Sequence, residues 1–375
     1  MREFVHELDS ARVVFGDGAV GRVPAEADRL GALRVLLIGG GHDGNVADGI
    51  AAGLGGRVLA RVADVVEHVP VEVAAAATRQ AADAGADLLL SVGGGSAVGL
   101  AKAVARDLGL PILAVPSTYS GSEMTPIWGL TEGGRKTTGR DPRVLPRTVV
   151  YDPALTVSLP PGLTATSGLN ALAHCVEARY ASDASPILRI IATEGARALA
   201  AALPACVARP SDRVARSGAL YGAWLAGTVL GNVGMGVHHK LAHTLGGVYR
   251  LPHAAVHAAL LPYTAAYNRD AAAEAMADLA AALAPGGAER DAPAALWDLA
   301  RRLGAPTDLL ATGFRREWID EVADTVAAAA PANPRPVTAA GVRDLLAAAC
   351  AGRRPDQAVP PGVSLDPVTG QRGLS

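Results

Sequence analysis

Residues 87–105 read DLLLSVGGGSAVGLAKAVA, and this stretch decides the fold. An apolar run ends abruptly in Gly93-Gly94-Gly95-Ser96, and an Ala-rich segment of helical period, 97–106, follows at once. Such a strand, tight turn and helix aims backbone N–H groups and the positive helix end at one point, where a phosphate is favoured. Glycine runs also serve plain tight turns, and this one lacks the GxGxxG spacing. The neighbours strengthen the nucleotide reading. Residues 34–38 (RVLLI) end in Gly39-Gly40-Gly41, 58–62 (VLARV) form a further run, and 112–115 (ILAV) lead into Ser117-Thr118-Tyr119-Ser120-Gly121-Ser122. Apolar strands alternating with helices predict a parallel sheet covered by helices, with ligand in the crevice at the strands' carboxyl ends.

Beyond residue 160 the pattern becomes long Ala- and Leu-rich amphipathic segments, which predicts an all-helical half. The change falls in 152–163 (DPALTVSLPPGL), so the expected division is an α/β dinucleotide-binding domain over 1–157 and a helical substrate domain over 158–352. Residues 284–293 read as a long loop within the second domain, and 353–375 as a loosely packed tail. The full 375 residues exceed one ordinary core, and with 50% hydrophobic but 4% aromatic residues the interior must be built from Ala, Val and Leu. A formal charge of −2, mixed along the chain, offers no face for nucleic acid. The three cysteines are scattered, no leader is evident, and no run approaches a membrane span, so a cytoplasmic address with no membrane partner is expected.

The chemistry concentrates in 236–257, GVHHKLAHTLGGVYRLPHAAVH, which holds five of the nine histidines; His174 lies upstream in NALAH. Asn170 and His174, and likewise His239 and His243, are four apart and project from single helical faces. His253 follows Pro252, which suits the start of a further helix. Three segments can thus meet around one pocket with imidazoles as ligands, proton donors or oxyanion partners. His257, His42, His6 and His68 are read as core or surface residues. A carboxylate at position 170 would complete a divalent metal site with three imidazoles; Asn170 brings no charge, and no metal is expected.

Four stretches carry a resemblance: GGGSAVGLAKAVA (93–105), LAVPSTYSGSEMTPIWGLTEGGRKTTGRDPRVLPRTVVYDP (113–153), TSGLNALAHCVEA (166–178) and GMGVHHKLAHTLGGVYRLPHA (234–254). Together they resemble the iron-containing alcohol dehydrogenase superfamily, in its maleylacetate reductase branch. The branch features are Asn170 where metal-dependent members carry a ligand aspartate, the segment TTGRDPRVLPRTVVYDP, His238-His239-Lys240, and Gly99 in place of an aspartate.

The resemblance implies a Rossmann-like parallel-sheet N-terminal domain, an all-helical C-terminal domain as in dehydroquinate synthase, an active site between them, and a homodimer. It implies NADH or NADPH as cofactor, and reduction of the carbon–carbon double bond of 2-maleylacetate to 3-oxoadipate in aromatic-compound degradation. Positions 170, 174, 239 and 253 correspond to metal ligands of the metal-dependent relatives, and His243 to a residue near the nicotinamide. His243 and His253 are the leading proton-donor and oxyanion candidates, with His174, His239 and Asn170 orienting the substrate. Because the substrate is a small dicarboxylate, a cation should face it: Lys240 first, Arg140 second, with Tyr119 beside them. Gly93, Gly94, Gly95, Ser96, Ser117, Thr118, Ser122 and Lys136 are assigned to the cofactor, and Lys102 to the helix surface. The alternatives are a metal-dependent alcohol or polyol dehydrogenase and a lyase of the dehydroquinate synthase kind.

Overall fold

The computed structural model describes residues 4–9, 11–133, 135–284 and 290–355. The expected tail, 353–375, falls from residue 356 onward outside the described residues, as does 285–289 of the expected loop.

Six parallel strands form the main sheet: β1 (Arg12–Phe15), β2 (Val35–Ile38), β3 (Val58–Val62), β4 (Leu88–Gly93), β5 (Ile112–Pro116) and β8 (Thr148–Tyr151), in the order β1-β8-β5-β4-β2-β3. Four of them are the apolar runs read from sequence. Their central members are buried along their whole length, β2, β4 and β5 without an exposed residue, which is why they appear as unbroken runs rather than alternating ones. Helices α1 (Val23–Arg29), α2 (Gly44–Leu54), α3 (Val71–Asp83) and α4 (Gly95–Leu108) connect the strands. Three features lie outside the sequence reading: β1, β8, and an antiparallel hairpin of β6 (Ile127–Glu132) and β7 (Arg135–Arg140). The edge strand β1 is tied to α1 by Arg12, which grips the buried Glu26 carboxylate at 2.9 Å, where Arg29 of the same helix also binds it at 2.9 Å.

From Pro161 the described chain is helical: α5 (Pro161–Tyr180), α6 (Pro186–Ala208), α7 (Arg213–Asn232), α8 (Val237–Val248), α9 (His253–Asn268), α10 (Ala273–Leu283), α11 (Ala292–Arg302), α12 (Ile319–Ala328) and α13 (Ala339–Ala351). Buried on nearly every side from Ser167 to Tyr180, α5 runs through the middle and packs on α6, α7 and α9. By length and composition alone α6 could cross a bilayer, but half of that apolar stretch is buried within the protein, as a core helix is.

The two halves meet closely where the residues are smallest. Gly121, with φ of +75°, sits against Gly227 of α7, and a Cβ on Gly227 would lie 2.8 Å from the Gly121 carbonyl oxygen. That contact presses the loop after β5 onto α7, beside His174.

Candidate active site

At the carboxyl ends of β2, β4 and β5 the three glycine- and hydroxyl-rich loops converge. Gly93 has φ of +141°, which favours glycine, and turns the chain directly into α4. A Cβ on Gly94 would stand 2.9 Å from Thr118 Cγ2, and one on Gly95 3.3 Å from Ser120. The Ser117 N–H donates to the Gly93 carbonyl, and the buried Thr118 Oγ1 has no hydrogen-bond partner. A cradle open only to glycine, an orphaned hydroxyl and a helix N-terminus fit the phosphates of a dinucleotide.

Lys102, expected on the helix surface, is fully buried. Its Nζ donates to the Ser122, Thr125 and Ile127 carbonyls and to Thr125 Oγ1 at 2.6–2.9 Å, clamping the loop after β5, while burial pulls its pKa down to about 7. Helical period alone misplaced it, because the hairpin β6–β7 that covers this face was not foreseen.

Five imidazoles and a carboxylate interlock between α5, α8 and α9. Glu177, one turn beyond His174, accepts from the N–H groups of Gly236 and His238 at 3.0 and 2.9 Å and from His239 Nδ1 at 2.6 Å. It therefore caps α8 and orients His239 together. Burial pushes its pKa up, but the bond from His239 and the neighbouring charges outweigh this and leave it below the usual carboxylate value. Sequence reasoning missed it, although the i,i+3 spacing from His174 was the available signal.

Behind the cleft the protons can be assigned from the network. Thr264 Oγ1 donates to Leu261 O and so accepts from His238 Nδ1 at 2.9 Å; His238 Nε2 then accepts from His257 Nδ1 at 2.8 Å, and His257 Nε2 from His253 Nε2 at 3.2 Å. His257, read from sequence as bland, is thus the link that fixes the ring of His253. Burial comes first in holding His174, His253 and His257 well below the ordinary histidine value, and in pushing His238 to about 3. The facing wall of the cleft includes His243, whose ring opens to it and whose pKa falls to about 3 through desolvation, His239 and Lys136 in that order.

The cleft, about 440 Å3, is lined by Lys136 of β7, by His243 and His253, and by the turn between α8 and α9. It thus takes side chains from both halves. A hollow of about 520 Å3 between α6, α10 and α11 gathers no comparable cluster. All three predicted substrate residues lie elsewhere. Tyr119 is fully buried, its hydroxyl accepting from Arg216 at 3.1 Å, because a large ring next to the glycine contacts packs inward. Arg140 donates to the Gly231 carbonyl and lies 4.0 Å from Asp9, held at the far end of its strand. Lys240 is half-buried on α8 and does not line the cleft.

A parallel sheet with a phosphate cradle, whose loop after β5 meets the histidine cluster of the helical half at His174, defines a nucleotide-dependent oxidoreductase architecture. The chain belongs to the iron-containing alcohol dehydrogenase family: residues 10–153 match its model "Iron-containing alcohol dehydrogenase" and residues 164–350 its C-terminal model. It is 48% identical to the maleylacetate reductase of Burkholderia cepacia over 95% of this chain and 100% of that protein. The crystal structure of maleylacetate reductase from Rhizobium sp. strain MTP-10005 superimposes with a TM-score of 0.90 at 48% identity, covering 94% of this chain and all of that one. An iron-containing alcohol dehydrogenase from Corynebacterium glutamicum gives 0.90 at 43% identity, covering 95% and 99%.

These matches overturn the expectation that no metal is needed, since both halves match a family of iron-containing enzymes. Asn170 brings no charge, but Glu177 behind His239 does, in the carboxylate–histidine pairing that supports bound metals. Local hydrogen bonding fits a cation too. With His239 donating to Glu177, neutral rings leave His174 Nδ1 to donate to His239 Nε2 at 2.8 Å, and a bare His174 Nε2 then faces the Ser120 carbonyl at 3.3 Å. The buried Asn170 Oδ1 has no partner. Two unsatisfied acceptors beside a carboxylate-backed imidazole suit a positive ion in kind, although among the described residues no three His, Cys, Asp or Glu side chains already form a metal-holding group.

Proposed function

We infer that this chain is a maleylacetate reductase, an oxidoreductase that uses NADH or NADPH to reduce the double bond of 2-maleylacetate to 3-oxoadipate. The observation that carries this is the 48% identity to a maleylacetate reductase along that enzyme's whole length. The bound nicotinamide supplies a hydride, and a metal held by Asn170, His174, His239 and His253 would supply Lewis acidity toward the ketone oxygen.

The chain's own residues account for the rest. Hydride arriving at the carbon β to the ketone drives the electron pair onto the ketone oxygen as an enolate, and one proton must then reach the α carbon. His243 is the leading donor to the α carbon and to the oxyanion, a neutral imidazole open to the cleft; His253, its one N–H spent on His257, lines the same cleft and keeps only a lone pair, which would serve the metal. His239, His174 and Asn170 orient the substrate. Gly93, Gly94, Gly95 and Ser96, with Ser117, Thr118 and Ser122, would hold the cofactor's phosphates, and Lys136 is assigned to the cofactor as well. The chain divides in role at residues 157 and 158, nucleotide on the sheet side and substrate on the helical side.

Exposed Phe4, Val5 and Leu8 lie on the arm that His6 bonds to Ser185 at the start of α6, near exposed Ile187 and Ile190; this apolar strip supports a homodimer, and the composition supports a cytoplasmic address. A spectrophotometric assay with maleylacetate and NADH or NADPH tests the function, before and after chelation and iron reconstitution. Absence of substrate-dependent NAD(P)H oxidation in all arms, with oxidation of a simple alcohol instead, would turn the assignment to an alcohol dehydrogenase, the reading that the Corynebacterium similarity favours.

A further inference from the structure

The turn between α8 and α9 contains a non-glycine residue in the left-handed region, Arg250, at φ of +56°. Helices end in this conformation most often on glycine, and side chains adopt it only where the surroundings enforce it. Here both neighbours are anchored. Tyr249 stacks on Trp318 with ring centroids 4.4 Å apart, and the buried Leu251 donates its N–H to the Leu245 carbonyl. Held between them, Arg250 lines the cleft that Lys136, His243 and His253 also line. Glu67 and Glu72 line the same cleft, yet among the described residues Arg250 forms no ion pair or hydrogen bond with them or with any other side chain.

We propose that Arg250 is a specificity-determining residue that binds a carboxylate of the dianionic substrate, the cationic role for which Lys240 and Arg140 are wrongly placed. A guanidinium presents a planar fork of N–H donors matched to a carboxylate, and it keeps its charge at any working pH. The turn supplies position: with the backbone fixed on both sides, the arginine is rooted at the rim of the cleft that His243 and His253 also line, so that a ligand gripped there reaches the imidazoles that handle the ketone. This rests on the reductase reading above.

Arg250→Gly removes the fork while suiting the backbone conformation, and Arg250→Lys keeps the charge. The glycine variant should retain the parent Tm and the KM for NADH, with KM for maleylacetate raised at least 10-fold and kcat changed less than 3-fold, about the loss of one charge-assisted bond. The lysine variant should recover part of that loss. An unchanged KM for maleylacetate in Arg250→Gly overturns the proposal, as does a rise confined to KM for NADH or NADPH, which would give the fork to the cofactor. Failure of the reductase reading itself shows differently, as no maleylacetate reduction by the parent protein.

Discussion

At the scale of single residues, much of the site's behaviour is set by groups that never touch substrate. Glu177 joins helix capping to imidazole orientation, so Glu177→Gln should lower affinity for iron by about 10- to 100-fold, as loss of such outer carboxylates does elsewhere; metal content after dialysis reads this directly. His243→Ala should cut the rate of hydride transfer by about 10²–10³ with little change in NADH affinity, the usual cost of one donor to a developing oxyanion. Single-turnover kinetics distinguishes the two, and a wild-type rate would remove His243 from the scheme. The histidine cluster was legible because so many imidazoles within 22 residues exceed what packing needs. Glu177, Lys102 and Arg250 were not, because their roles depend on which distant segments cover them, and an Arg beside a Tyr in a turn looks like surface.

At the scale of elements, the apolar runs of β2 to β5 and the glycine turns were readable, since strands buried on both faces leave continuous hydrophobic signals. The edge strand β1 and the hairpin β6–β7 were hidden: β1 is half-exposed and held by Arg12 on Glu26, and the hairpin's residues mix Trp, Thr, Lys and Arg. The Arg12 bond comes first in drawing the Glu26 pKa below its ordinary value, against a smaller opposing effect of burial. A depressed folded-state value means that the stabilisation is complete above the unfolded-state pKa and is lost as pH falls through the folded one. Melting curves below pH 4.5 should therefore fall more steeply in the parent than in Glu26→Gln, with the two differing most near neutrality. Where α7 meets the loop after β5, Gly227→Val must push Gly121 away and should cost about 2–3 kcal/mol in urea unfolding.

At the scale of the whole molecule, the cleft draws residues from both halves, so ligand binding should tie them together. NADH at one hundred times its Kd should add about 2.7 kcal/mol of stability, seen as a rise in Tm; an unmoved Tm at concentrations that saturate turnover would show that the folded protein does not bind the nucleotide on its own. The fold class could be read whole from sequence, because the two halves have different hydrophobic periods. How those halves face each other could not, as it depends on contacts such as Gly121 against Gly227 that carry no local signal. The burial of α5 on nearly every side has one more consequence. Asn170, His174 and Glu177 share that rod with the packing that keeps the protein folded, so directed evolution toward new substrates should find few survivors there and many along the rim between α8 and α9, where a side chain can be exchanged without loosening its neighbours.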